Sequence, residues 1–269
     1  AEMTAQRDPG EAVKLTYERN GESKTTSITI QPDFVAWEQW IGPADKRPYG
    51  PGYHPFSWRG WWDFGTGALG DMACHTFNMP FMALNLRDPI SVEAETSGHN
   101  KESYPKWSVI TFQFPATDKR KAVKVMWYDG GKRPDSGLFD GAGMSRTGSL
   151  IIGDKGKLHS QGDYGAGYSL IGVDEPKVEF VNSPGHFTEF ANAIKGGPEP
   201  VSNFPDYAGP LSETILLGNL AVAASPEGKP QKVEWDAKDM KVTNDNFEGV
   251  TVDELQQIVK HDYREGWSL

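Results

Sequence analysis

Trp58-Arg59-Gly60-Trp61-Trp62-Asp63-Phe64-Gly65-Thr66-Gly67-Ala68-Leu69-Gly70-Asp71-Met72-Ala73-Cys74-His75 is the stretch on which the fold turns. Residues 65–70 spell G-x-G-x-x-G, and Glu93 and Glu95 follow about 20 residues later, the spacing of a dinucleotide fingerprint. Such a fingerprint has to leave a buried parallel strand and open the helix of a βαβ unit. Residues 58–64 are tryptophan-rich instead of Val/Ile-rich, and no βαβ alternation follows. We therefore reject nucleotide binding at this loop and read the segment as the start of a helix.

In that helix Gly67, Asp71 and His75 are four apart and Asn78 follows three later, so the pattern predicts all four on one face. Leu69, Met72 and Ala73 fall on other faces. A face of carboxylate, imidazole and amide, opened by glycines, suits a polyol. A carboxylate beside a histidine favours its charged form and can orient it for proton transfer at a hydroxyl. The structural alternative is an Asp serving the helix dipole and a His satisfied locally. The upstream loop 48–60 carries Tyr49, Tyr53, His54 and Trp58. With Trp62, these are candidates for an aromatic rim around a sugar ring, although each can equally fill a core.

Outward from this point the pattern is β, then α, then strands, then helices. Residues 13–17 and 26–30 alternate about Asn20-Gly21, a hairpin signal. Residues 34–41 read as a short helix stopped by Gly42-Pro43. The helix of Asp71 and His75 runs from about 67 to 86, with an interruption expected at Pro80. Strands are expected at 90–94, 107–114, 123–127, 149–152, 157–160 and 233–235, and helices at 187–195, 211–224 and 252–263. That grouping predicts an α+β fold, with residues 90–160 in one large, mostly antiparallel open sheet and helices on one face. Val123, Val125 and Trp127 alternate, which suggests an apolar open face to be buried by self-association.

Composition narrows the partners. A net charge of −10 with scattered lysines and arginines argues against nucleic acid. No apolar run is long enough to span a membrane, and Ala1-Glu2-Met3-Thr4 shows no export leader. Cys74 is the single cysteine, so neither an internal disulfide nor a thiolate metal site is expected. No metal site is expected from any other residues.

Trp37-Glu38-Gln39-Trp40-Ile41-Gly42-Pro43, Tyr104-Pro105-Lys106-Trp107, Trp127-Tyr128-Asp129-Gly130-Gly131, the run Gly148 through Gly156, Asn203-Phe204-Pro205-Asp206-Tyr207-Ala208-Gly209, Leu216-Leu217-Gly218-Asn219 and Tyr263-Arg264-Glu265-Gly266-Trp267 join the opening stretch in one resemblance. Over roughly 34–269 the chain resembles the Gfo/Idh/MocA oxidoreductases. Their C-terminal domain bears a G-x-x-x-D-x-x-x-H helix, matched by Gly67, Asp71 and His75. The resemblance implies His75 as a catalytic or substrate-orienting residue and Asp71 as a hydroxyl ligand or helper of His75. Asn78 stands where similar sequences often carry aspartate. The family's other half is a Rossmann domain with a Glu-Lys-Pro lysine, for which Glu227-Gly228-Lys229-Pro230 is no substitute.

The expectation is therefore a hairpin extension over 1–33 and a C-terminal domain over 34–269, with no cofactor in this chain and NAD or NADP used by the full-length family. It would be the substrate half of a sugar or cyclitol oxidoreductase, redox-inactive alone and associating through its open sheet face. The other readings are a stand-alone carbohydrate-binding or oligomerisation module, and a cofactor-free glycoside-processing enzyme using carboxylates such as Asp63 and Asp71. Either cytoplasm or periplasm fits, and similar proteins often carry twin-arginine export signals.

Overall fold

The computed structural model describes residues 12–19, 22–29, 34–50, 52–53, 56–179, 182–260 and 263–267. They form two units, one from the described residues of 1–58 and 262–269, the other from those of 59–261. The division follows Trp58.

In the first unit β1 (Ala12–Arg19) pairs antiparallel with β2 (Glu22–Thr29), Arg19 opposite Glu22. That register leaves Asn20-Gly21 between the strands; the turn itself lies outside the described residues. α1 (Phe34–Trp40) follows, and Gly42, at φ +57°, takes the left-handed conformation that ends it. Trp37 is buried, and its indole N–H donates to Arg47 O at 2.8 Å. Its ring stacks on Trp40 and Tyr53 and meets Tyr49 edge-on.

The second unit opens with α2 (Gly67–Thr76) and α3 (Asn78–Ala83), two helices where the pattern ran as one. The break falls at Phe77, three residues before Pro80. Proline lacks an N–H, and its ring collides with the carbonyl four residues back, here that of Thr76. Ending α2 at Thr76 puts Pro80 in the first turn of a new helix, where no N–H is needed.

The strands are β3 (Ser91–Thr96), β4 (Ser108–Phe114), β5 (Val123–Tyr128), β6 (Gly148–Ile152), β7 (Lys157–Gln161) and β8 (Gly167–Ile171). Then come α4 (His186–Ile194), α5 (Gly209–Ala223), β9 (Val233–Asp236), β10 (Lys241–Val242) and α6 (Val252–Val259). The α+β class and the antiparallel pairing are as expected, but residues 90–160 do not form one sheet. One sheet has the order β10-β9-β3-β4-β5 and the other β6-β7-β8. Asp129 ends the first by accepting from Ser108 N–H (2.6 Å), Ser108 Oγ (2.7 Å) and Trp127 Nε1–H (2.9 Å). The chain then leaves through a long connection with a 3-10 turn at Ser136–Phe139, so β6 pairs onward with β7.

Register decides which sheet face is covered. Phe112 lies opposite Val92 and Val125, and Ile110 opposite Ala94 and Trp127. Phe112, Ile110, Val92 and Ala94 are buried under α2 and α5, and Val123, Val125 and Trp127 pack against the same core. The stripe expected to drive self-association is thus the helix-covered side of β5. The outer face presents Glu93, Glu95, Val109, Thr111, Gln113, Lys124, Met126 and Tyr128.

α5 is buried on nearly every side, which is why its sequence is apolar without a stripe. It approaches α2 closely at Gly218, where a Cβ would meet Leu69 and Phe112 side chains at 2.5 and 2.9 Å. Removing the Phe112 ring would cost about 3–5 kcal/mol in such a core. α6 begins on a Thr251/Glu254 capping box and ends at Val259, earlier than the pattern suggested.

Candidate functional site

The loop ahead of α2 is filled by the protein itself. A Cβ on Gly65 would lie 2.5 Å from Arg59 Cα, one on Gly67 2.8 Å from the Tyr104 ring, and one on Gly70 1.9 Å from Thr66 Oγ1. Gly67 also has φ +68°, a conformation that excludes most side chains. The Tyr104 hydroxyl donates to Gly65 O at 3.3 Å, and burial pushes its pKa far above the ordinary phenol value. Asn219, buried on α5, donates its amide to Thr66 O at 2.9 Å. Each glycine of the G-x-G-x-x-G string is therefore explained by neighbouring protein atoms. The residues present do not fit a dinucleotide pyrophosphate there, which needs that same space beside the backbone.

The packing puts Arg59 over the first turns of α2, where its Nη1 is ion-paired with Asp71 Oδ2. His75 lies one turn along the same helix. Its ring meets Tyr164, from the loop between β7 and β8, at 5.0 Å and 66°. Among the described residues no hydrogen bond joins Asp71 to His75. Cys74, between them in sequence, is an exposed residue, and partial desolvation of its thiol together with the Asp71 charge raises its pKa. A raised pKa disfavours the nucleophilic thiolate.

Asn78 lies beyond the end of α2. It opens α3, and its backbone carbonyl accepts from the Tyr207 hydroxyl at 3.1 Å, with the same hydroxyl donating to its Oδ1. Trp62 stacks on Tyr104 at 4.0 Å and lies 5.7 Å from the His99 ring, packed against the core. Tyr53 and Trp58 belong to the first unit, Tyr53 in the Trp37 stack and Trp58 exposed. His54 lies outside the described residues. The structure thus brings together Asp71 and His75, and adds Arg59 and Tyr164. Sequence reasoning passed over Arg59 because a cation twelve residues before a carboxylate has no periodic signature. Tyr164 reaches His75 only through the β7–β8 pairing, which no local pattern encodes.

A small apolar cavity lies between sheet and helices, lined by Leu69, Ala73, Phe77, Phe112, Trp127 and Ile215 among others. Asp71, His75 and Asn78 do not line it. Among the described residues no group of three or more His, Cys, Asp or Glu is arranged to hold a metal ion. No described helix is long and apolar enough to cross a membrane.

No curated protein matches the chain. A family model does, over residues 10–268, and its description is that of an oxidoreductase family, C-terminal alpha/beta domain. With nearly its whole length matched, the chain belongs to the Gfo/Idh/MocA oxidoreductase family, as its C-terminal α/β domain.

Proposed function

We propose that this domain binds and orients a sugar or cyclitol for a nicotinamide-linked oxidoreductase. His75 handles the proton of the reacting hydroxyl, and Asp71, fixed by Arg59, accepts a hydrogen bond from a neighbouring hydroxyl. The observation that carries this reading is the placement of Asp71 and His75 on successive turns of α2, both part-exposed, in a chain of an oxidoreductase family. The glycine loop does not fit the dinucleotide, so only substrate binding and proton handling are assigned to these residues. The chain alone is taken to be redox-inactive. Its Asp71 is paired with a guanidinium and not with a second carboxyl, which counts against glycoside hydrolysis by a carboxyl pair.

The test is nuclear magnetic resonance of the His75 imidazole while methyl β-D-glucopyranoside or myo-inositol is added at millimolar concentration. The reading expects saturable shifts at His75 that are lost in Asp71→Ala. No shift with either probe would overturn it. Calorimetry with NADH or NADPH should show nothing tighter than millimolar; micromolar binding would restore the glycine loop as a nucleotide site.

A further inference from the structure

We propose that Tyr164 is the aromatic wall of this site and sets the orientation of the substrate ring against His75. This rests on the preceding assignment of His75 as a substrate-facing residue. Tyr164 sits at the tip of the loop 162–166, between Gln161 and Gly167, which face each other in the β7–β8 ladder. The loop is held at its base and touches α3 near its tip. At its base Ser160 Oγ donates to Gly167 O at 3.3 Å. Near its tip Gly165, at φ +65°, passes so close to α3 that an added Cβ would lie 3.6 Å from Met79 Cβ. Tyr164 is therefore delivered to the α2–α3 junction by a defined register.

What it does there is not core packing. Tyr164 remains 75% exposed while its ring meets the His75 ring at 5.0 Å in an edge-on geometry. Hairpin loops of this length are served by Gly, Asn, Asp or Ser, and nothing in the turn requires an aromatic. A large apolar ring left in water beside a part-exposed imidazole is material for binding. Together the two rings form a corner, one side an aromatic surface and the other a hydrogen-bonding nitrogen.

Pyranoses and cyclitols have the matching shape, with a patch of C–H bonds on one face and hydroxyls around the rim. The C–H patch would lie on Tyr164, and a rim hydroxyl would then point at His75. Its substrate class is thus a six-membered polyol ring with an unsubstituted C–H face. An aromatic with a phenol handle suits the boundary between apolar contact and water. Small-molecule sites generally combine such apolar surface with a few placed polar groups.

The experiment repeats the two-probe titration on the chain with Tyr ring carbons labelled, comparing wild type, Tyr164→Ala and Tyr164→Phe. Melting temperatures confirm that each variant is folded. The expected result is that probe shifts the Tyr164 ring and His75 resonances with one common affinity. Tyr164→Ala then weakens that affinity about tenfold or more, while Tyr164→Phe keeps most of it. Shifts at His75 with a silent Tyr164 ring, or equal affinity in Tyr164→Ala, would overturn this inference and leave the functional reading standing. If neither residue responds to either probe, the functional reading fails and this inference with it. Should Tyr164→Ala not fold, the wild-type ring resonances decide the matter alone.

Discussion

The carboxylate of Asp71 is held by Arg59 from the preceding loop, and not by His75 one turn along its own helix. An aspartate four residues before a histidine invites the idea of a carboxylate–imidazole pair. The loop that folds Arg59 back over α2 redirects that charge. Asp71 is thereby fixed in place, and His75 meets Tyr164 instead.

The first prediction is that Arg59 and Asp71 are coupled weakly in stability and strongly in binding. Their side chains are 34% and 39% exposed, so water screens the pair. A double-mutant cycle of Arg59→Gln and Asp71→Asn, read by urea denaturation, should give about 0.5–1 kcal/mol. Sugar-probe affinity should fall in either single variant. A coupling of several kcal/mol would mean the pair is a structural clamp and not part of a site.

A second prediction separates the two meanings of G-x-G-x-x-G. If the glycines served a nucleotide, alanine would leave the fold intact and remove binding. Gly70→Ala should instead destabilise the domain by about 1–3 kcal/mol, because the new methyl overlaps Thr66. Thr66→Gly in the same chain should recover part of that loss, since it removes the atoms in conflict. Melting by circular dichroism reads both. A Gly70→Ala protein as stable as wild type would contradict the packing.

The third prediction concerns pH. His99 is half-buried, and its Nδ1 accepts from the Lys101 backbone N–H at 3.2 Å. Burial pushes its pKa below the ordinary imidazole value, more than the nearby Val222 and Ala223 backbone pulls it back. Between that lowered pKa and about 6.5 the unfolded chain binds more protons than the folded one. This contribution to stability is complete above about pH 6.5 and is lost as the pH falls toward the folded value. Glu254, whose pKa is lowered by its bonds to Thr251, acts in a more acid window, while Glu213, raised by burial, adds a pH dependence that a His99 variant leaves in place. His99→Gln should therefore flatten melting temperature against pH below about 6.5. An unchanged slope would remove His99 as the cause.

Much of the second unit was legible because its pattern is local. β4 alternates buried and part-buried residues along its whole length, and α6 carries its capping box in four residues. What escaped was pairing between distant segments. Alternation at 123–127 announces a strand with one apolar side, but only the register with Ile110 and Phe112 says that this side faces the helices. β8 begins at Gly167 and is recognisable only by its partner β7. The spacing of Asp71 and His75 on one face of α2 is a local signal, while Arg59 and Tyr164 arrive beside them by a folded-back loop and a hairpin tip. Asn78 opens α3 instead of continuing α2, because the effect of Pro80 is felt at residue 76, one turn upstream.

The last prediction tests the two faces of β5 and, through them, self-association. Val125 packs against the core opposite Phe112, whereas Met126 projects from the other face opposite Thr111 and is 40% exposed. An aspartate at 125 would carry a charge into apolar surroundings without a partner, at a cost of several kcal/mol. An aspartate at 126 would be solvated, with an effect on stability within about 0.5 kcal/mol. Urea denaturation should therefore show a large loss of stability for Val125→Asp and almost none for Met126→Asp, and equal destabilisation would mean the face assignment is wrong. The Met126 variant carries a second readout, because it leaves the core untouched. Sedimentation of wild type and Met126→Asp at micromolar concentration shows whether the outer face joins copies of the chain. Beside its glutamates, glutamine and lysine this face carries one small apolar cluster, Val109, Met126 and Tyr128, well short of the ~800 Å² per partner of a stable interface, so the expected result is the same sedimentation for both. A wild-type dimer that Met126→Asp dissolves would place the interface on this face, around the Val109, Met126 and Tyr128 cluster and not on the alternating residues 123, 125 and 127.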